Sequence, residues 1–337
     1  MSPRPTLGVV IPTLNCANLL EGHLNSLESW LDTADEIVVV DSHSEDGTWE
    51  IVRSRLAGPK TFFYQRPKGL YQAWNYGVSR LSTQLTYFST VGDHITKDGL
   101  EHLRQVANST VADVVISPPA FVEEQGSPAE TPPHWPVQEL IQVLEIKAPR
   151  LIDDWILLLL SLENPVDAIL GSSASNIYRT AKLQERPFPT NYGSVGDGAW
   201  GIGNIFNYRL AVTPECFSLF REHPKSYSIN TYAVSDLNTR LFDLLVENMD
   251  KLIRSSSAHR KRAETLKCRE LAQLVKQRMT WQKKLETTRH ATVPWLFNPQ
   301  AWRSRKMRNH FRTAARECRD AALEICRLDA VTSSFDP

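Results

Sequence analysis

Residues 36–48 read EIVVVDSHSEDGT. Four apolar side chains in succession, three of them valines, show none of the in-out alternation of a half-exposed strand, so the segment describes a strand covered on both faces. The Asp, Ser and Gly cluster after it is the turn that leaves the strand. Upstream, LGVVIPTLN (7–15) repeats the pattern, and a helical spacing from Ala17 to Leu31 separates the two runs. Downstream come a helix from about Thr48 to Leu56, TFFYQ (61–65), a helix around Leu70 to Leu81, LTYFSTV (85–91), a helix opening near Asp98 and ADVVISP (112–118). This β-α-β-α alternation predicts a doubly wound, mostly parallel sheet flanked by helices over roughly the first 120 residues.

The 337 residues carry 42% hydrophobic and 23% charged side chains, the balance of an ordinary globular protein. The longest apolar run, Trp155 to Leu162, is far short of the ~20 residues that cross a bilayer. The amino terminus lacks the order of a secretory signal, because Pro12 breaks its only apolar stretch, and a cytoplasmic location is the expectation. Five scattered cysteines, Cys16, Cys216, Cys268, Cys318 and Cys326, are read as reduced thiols. A formal charge of zero hides an asymmetry: residues 251–330 hold 20 of the 38 Lys and Arg against 7 Asp and Glu. That region is read first as amphipathic helix packing on the rest of the chain, then as contact with an anionic membrane surface at the inner face of the membrane, then as a join between two chains in a homo-oligomer. Nucleic acid is disfavoured, because acids are interspersed and no nucleic-acid module accompanies the charge.

In an open parallel sheet the ligand sits beyond the carboxyl ends of the strands. Pro12-Thr13-Leu14-Asn15, Asp41-Ser42-His43-Ser44, Arg66-Pro67-Lys68-Gly69 and Gly92-Asp93-His94 fall there. No glycine-rich turn follows the first strand, which argues against a dinucleotide enzyme, and no Gly-Lys-Ser/Thr loop occurs, which removes the common nucleoside triphosphatases. What remains is a nucleotide site built from side chains, with Asp41 able to accept hydrogen bonds from a base or ribose and Asp93 the best-placed metal ligand.

Four motifs, VVIPTLN (9–15), VVVDSHSEDGT (38–48), KGLYQAWNYGV (68–78) and YFSTVGDHI (87–95), fall in order at four strand ends. Together they resemble an inverting family 2 glycosyltransferase of the GT-A fold. The resemblance implies a nucleoside-diphosphate sugar donor, a glycan or lipid-linked acceptor, and contacts to the donor from Pro12, Thr13, Asn15, Asp41, Ser42, Lys68, Gly69, Asn75, Gly92 and Asp93. The family's usual pair of adjacent carboxylates appears here as Gly92-Asp93, so one carboxylate, supplemented by His94, is left to hold Mn2+ or Mg2+.

By the same resemblance, FPTNYGSVGDGAWGIGNIF (188–206) supplies Asp197 as the base, with Trp200 as an apolar face for a sugar, while Asp153 and Asp154 are held in reserve. The plainer alternative for Asp197 is a helix cap before Ala199. Arg221 and His223 match, loosely, an element that reaches the diphosphate. The expected organisation is a GT-A domain over 1–235, with a nucleotide-sugar half (1–117), a mobile proline-rich loop (118–136) and an acceptor half (137–235), followed by a basic helical extension over 236–337. The competing reading is a non-catalytic sugar-nucleotide-binding or scaffold protein on the same fold.

Overall fold

The computed structural model describes residues 3–123, 127–130, 135–163, 165, 170, 173–221, 234–288 and 299–333. Contacts divide the chain into two compact units, residues 1–153 with 168–231, and residues 154–167 with 232–337.

In the first unit, β1 (Leu7–Thr13), β2 (Glu36–Asp41), β3 (Thr61–Gln65) and β4 (Leu85–Phe88) form the parallel array β3-β2-β1-β4. Every residue of β1 and β4 is buried, as the unbroken apolar runs require. The crossovers are α1 (Ala17–Leu27), α2 (Thr48–Arg55) and α3 (Leu70–Ser79). Helix α1 turns Leu20, His23, Leu24 and Leu27 inward, a 3.6-residue stripe that seats it on the sheet.

Beyond β4, α4 (Lys97–Ser109), β6 (Val114–Ile116), β8 (Arg150–Ile152), β9 (Asn176–Arg179) and β10 (Leu210–Val212) extend the sheet to β3-β2-β1-β4-β9-β6-β10-β8. Strand β9 runs antiparallel to both its neighbours, so the sheet is mixed at its centre. A smaller sheet, β5-β11-β7, joins β5 (His94–Ile95), β7 (Ala120–Val122) and β11 (Ser218–Arg221). Strand β7 lies inside the proline-rich stretch read as loop. It is too short to show a period, and the partner that pairs with it, β11, is about a hundred residues away in sequence. The remaining helices of this unit are α5 (Pro136–Val143), α7 (Thr180–Glu185) and α8 (Gly196–Asn204).

The second unit is helical: α6 (Asp154–Glu163), α9 (Val234–Ser255), α10 (Ser257–Thr265), α11 (Cys268–Thr288) and α12 (Pro299–Ser333). Every residue of α6 from Trp155 to Glu163 is buried, as expected of a helix apolar all round. Its last residue, Glu163, is 7% exposed and meets two arginines, Arg278 at 3.3 Å and Arg319 at 2.9 Å. Part of the basic surplus is therefore spent inside its own unit. Glu163→Ala would take a shared carboxylate from two half-buried guanidinium groups, although Arg319 keeps Asp320 and Arg278 keeps the carbonyl of residue 163, and thermal unfolding should report a loss of about 1–3 kcal/mol.

Candidate active site

The loops after β1 and β2 are laced together. Thr13 Oγ1 and Ser44 Oγ donate to Asp41 Oδ1 at 3.0 and 2.6 Å, while Ser44 N and Gln65 Nε2 donate to Oδ2 at 2.9 and 3.3 Å. Asp41 is 0% exposed, and these four donors fill the lone-pair positions of a carboxylate. It serves here as the hub that shapes both loops, a role absent from the sequence reading, which aimed its oxygens at a nucleoside. Pro12, Thr13 and Ser42 are buried beside it, and Ser42 N donates to Thr13 O. Asn15 is exposed at φ 45° and reaches Ser44 and Glu45. Lys68 is exposed just before Gly69, which sits at φ 152° ahead of α3. The Asn75 amide donates to Phe188 O at 2.8 Å and accepts from Phe188 N at 2.9 Å, clamping α3 to the 188 segment.

The turn after β4 builds a second cluster. Gly92 adopts φ 102°, and Asp93 behind it is 7% exposed. Arg221, at the end of β11, donates its backbone N–H to Asp93 Oδ1 at 3.2 Å and its Nε–H to Gly92 O at 3.3 Å. Burial pushes the Asp93 carboxyl up to about 7, against the N–H and positive charge of Arg221. His23, which the sequence reading missed, braces the same turn: Nδ1 lies 3.3 Å from Asp93 O and Nε2 lies 3.1 Å from Ser89 Oγ. A carbonyl only accepts, so Nδ1 carries the proton and Nε2 accepts. Burial holds His23 down at about 4, so it is neutral.

Two side chains at this turn are of the kinds that ligate a divalent cation. Asp93 supplies a carboxylate, and His94 Nδ1 is buried with no hydrogen-bond partner among the described residues. Burial also lowers the His94 pKa, which keeps the imidazole in its ligating form. Among the described residues no group of three or more His, Cys, Asp or Glu is placed to hold an ion. Phosphate oxygens and water would have to complete the shell, as Mg2+ commonly accepts.

Asp197 stands in the first turn of α8, whose cap position is Val195, so it does not occupy the cap position before Ala199 that the plainer alternative gave it, although its carboxylate accepts a first-turn N–H. Tyr71 Oη and Gly198 N each donate to Asp197 Oδ1 at 2.8 Å. No donor to Oδ2 is found among the described residues. Burial raises the Asp197 pKa, and the Tyr71 and Gly198 donors hold it back. Gly196 makes room for this arrangement: a Cβ there would come within 2.4 Å of the Tyr71 ring. Tyr71 lies in the KGLYQAWNYGV motif and is the main functional side chain left unread in the sequence. Its removal as Tyr71→Phe should raise the Asp197 pKa further. The acidic limb of a pH–kcat profile should then move to higher pH, with kcat down about tenfold at neutral pH.

Trp200 is not a sugar platform. It is 1% exposed, donates Nε1–H to Arg186 O, stacks on Tyr208 at 5.2 Å and packs against Phe188 and Tyr178. The sequence shows an aromatic beside a glycine-rich turn, and burial alone decides which way it faces. Asp154 opens α6, with Asp153 immediately before it. His223 lies outside the described residues.

A family model described as glycosyl transferase family 2 matches residues 8–158, the span that carries β1 to β4, Asp41 and Asp93. Over residues 8–158 the chain is similar to family 2 glycosyl transferases. The fold extends the likeness past the matched segment: S. aureus TarS residues 1–349, solved with UDP, superposes at a TM-score of 0.51 with 19% identity over 94% of this chain and 92% of that one. The same protein solved with UDP-GlcNAc gives 0.54 with 17% identity over the same shares. At these identities the likeness is one of fold, and it places the matched segment in a GT-A architecture. No curated protein sequence matches the chain.

Proposed function

We propose that the protein moves one hexose from a nucleoside-diphosphate sugar to a glycan or lipid-linked acceptor hydroxyl, with inversion at the anomeric carbon and assistance from a divalent cation. The observation that carries this reading is the seating of Asp197. One oxygen is pinned by Tyr71 and Gly198, and burial makes the carboxylate more basic. A module that merely binds a nucleotide has no use for a basic carboxylate so arranged.

In this reading, the loops that Asp41 holds together receive the nucleoside, with Pro12, Thr13, Asn15 and Ser42 along them, while Lys68 and Gly69 border the sugar-phosphate side. Asp93 and His94 would hold Mn2+ or Mg2+, which supplies a positive charge against the departing diphosphate. Arg221 is tied to the same turn and adds its own charge there. Asp197 Oδ2 takes the proton of the acceptor hydroxyl as its oxygen bonds to the anomeric carbon and the bond from that carbon to the diphosphate oxygen breaks. The single-displacement geometry inverts the centre. With no described helix long and apolar enough to cross a membrane, a lipid-linked acceptor would be met at a surface.

The test is a thermal-shift screen of UDP, GDP and dTDP, each with and without Mn2+, followed by product analysis with the corresponding sugar donors. UDP comes first, because TarS was solved with it. A nucleoside diphosphate that raises the melting temperature only with the metal is the expected result. Failure of all three to do so in the presence of Mn2+ or Mg2+ overturns the reading.

A further inference from the structure

We propose that the amino-terminal part of α12, Arg303 to Arg316, is a docking surface for an anionic phospholipid bilayer. The inference stands apart from the transferase reading and concerns the helical unit alone.

The sequence from Thr287 to Arg316 contains seven Lys and Arg and no Asp or Glu. Six of those cations, Arg303, Arg305, Lys306, Arg308, Arg312 and Arg316, lie in the described helix, and all but the half-buried Arg308 are exposed. Between Arg303 and Ala314 no described side chain is buried, whereas the later turns bury Ala315, Ala322, Leu323 and Cys326. Among the described residues, the fully buried side chains of the helix begin only at Ala315, while Arg308, Phe311 and Ala314 before it are half-buried. An isolated helical stretch gains little in water from its own backbone, and a cation-rich one also repels itself.

Met307, Phe311 and Ala314 recur at i, i+4 and i+7, so they share one stripe, with Arg303 and Lys306 on one flank and Arg308 and Arg312 on the other. Met307 is 40% exposed. Helix α11 runs antiparallel to α12, since Arg278 and Arg319 share Glu163 while Cys268 lies near Cys326. Its exposed Lys283 and Lys284 extend the positive field, although Lys283 is paired at 3.8 Å with Asp236.

A narrow apolar stripe between two rows of cations is the pattern of a helix lying in a lipid interface, where the apolar side chains enter the acyl boundary and the cations meet phosphates. A soluble polyanion would use the cations and leave Met307 without a role.

The test is flotation of the full chain with vesicles of phosphatidylcholine containing about 30% phosphatidylglycerol, beside vesicles of phosphatidylcholine alone, at about 0.1 M and about 0.5 M salt. Binding to the anionic vesicles at least about tenfold stronger than to the neutral ones, weakening with salt, is the expected result. A variant with Arg303, Lys306, Arg308 and Arg312 all changed to Ser should lose at least about tenfold in partitioning with its melting temperature unchanged. Should that variant fold poorly, the all-Lys counterpart at the three arginines keeps the charge and should bind as the parent does. Met307→Ser should weaken vesicle binding while leaving binding to inorganic polyphosphate as it was. Equal binding to both vesicle types, undiminished binding by the fourfold variant, or binding to polyphosphate with none to anionic vesicles would each overturn the proposal.

Discussion

Asp197→Asn should lower kcat about a thousandfold while leaving the affinity for a nucleoside diphosphate unchanged. The substitution is nearly isosteric. An amide oxygen in the Oδ1 position still accepts from Tyr71 Oη and Gly198 N, so α8 and the turn before it keep their geometry. The amide nitrogen then occupies the Oδ2 position, where no donor to the carboxylate is found among the described residues, and it cannot take a proton. The pH dependence carries a second signature. A base works in its deprotonated form, and burial raises the Asp197 pKa. Activity of the parent should therefore rise with pH through that raised value and level off above it, and in the Asn variant this acidic limb should vanish. Measurement of kcat across pH, together with UDP-induced thermal shifts, separates the two effects. An Asn variant that turns over at the parental rate would move the base to Asp153 or Asp154.

Much of the site was legible because strand ends can be located from composition alone. Unalternating runs such as IVVV fixed β1, β2 and β4, and once those ends are known Asp41 and Asp93 fall at the edge where a ligand lies. What stayed hidden depends on contacts between segments far apart in sequence. Tyr71 and Asp197 are 126 residues apart, and Arg221 reaches Asp93 across 128. Neither pairing has a local signal in the sequence. The placing of Trp200 was hidden for a related reason. An indole beside a glycine-rich turn suits a ligand pocket and a packed core equally well, and only its partners, Phe188 and Tyr208 among them, decide. The antiparallel β9 at the centre of the sheet was equally invisible, because a short buried strand has no period to declare its direction.

Asp93→Asn should abolish metal-dependent transfer, a fall of roughly a thousandfold or more, and should do so without unfolding the protein. The argument turns on there being one carboxylate where the family resemblance leads one to expect two. Asn keeps an oxygen to accept the Arg221 N–H and so preserves the link from the turn after β4 to β11, but it offers a divalent cation a neutral ligand in place of a charged one. No group of three or more His, Cys, Asp or Glu among the described residues is placed to take over the charge. Stability should move the other way. The folded-state pKa of Asp93, about 7, lies above the ordinary carboxylate value of 3.8, so the folded state resists its ionisation. That resistance subtracts from stability progressively as pH rises from about 4 to about 7, and it persists in full above. The metal-free Asn variant should thus melt higher than the metal-free parent at neutral and alkaline pH, with the gap closing toward pH 4. Adding Mn2+ with UDP should raise the melting temperature of the parent and leave the variant where it was. A buried carboxylate kept at a cost to the empty protein is intelligible if its charge is met by a cation during turnover. If the variant instead melts lower than the parent at every pH, Asp93 is a structural residue, and the cation must be sought elsewhere.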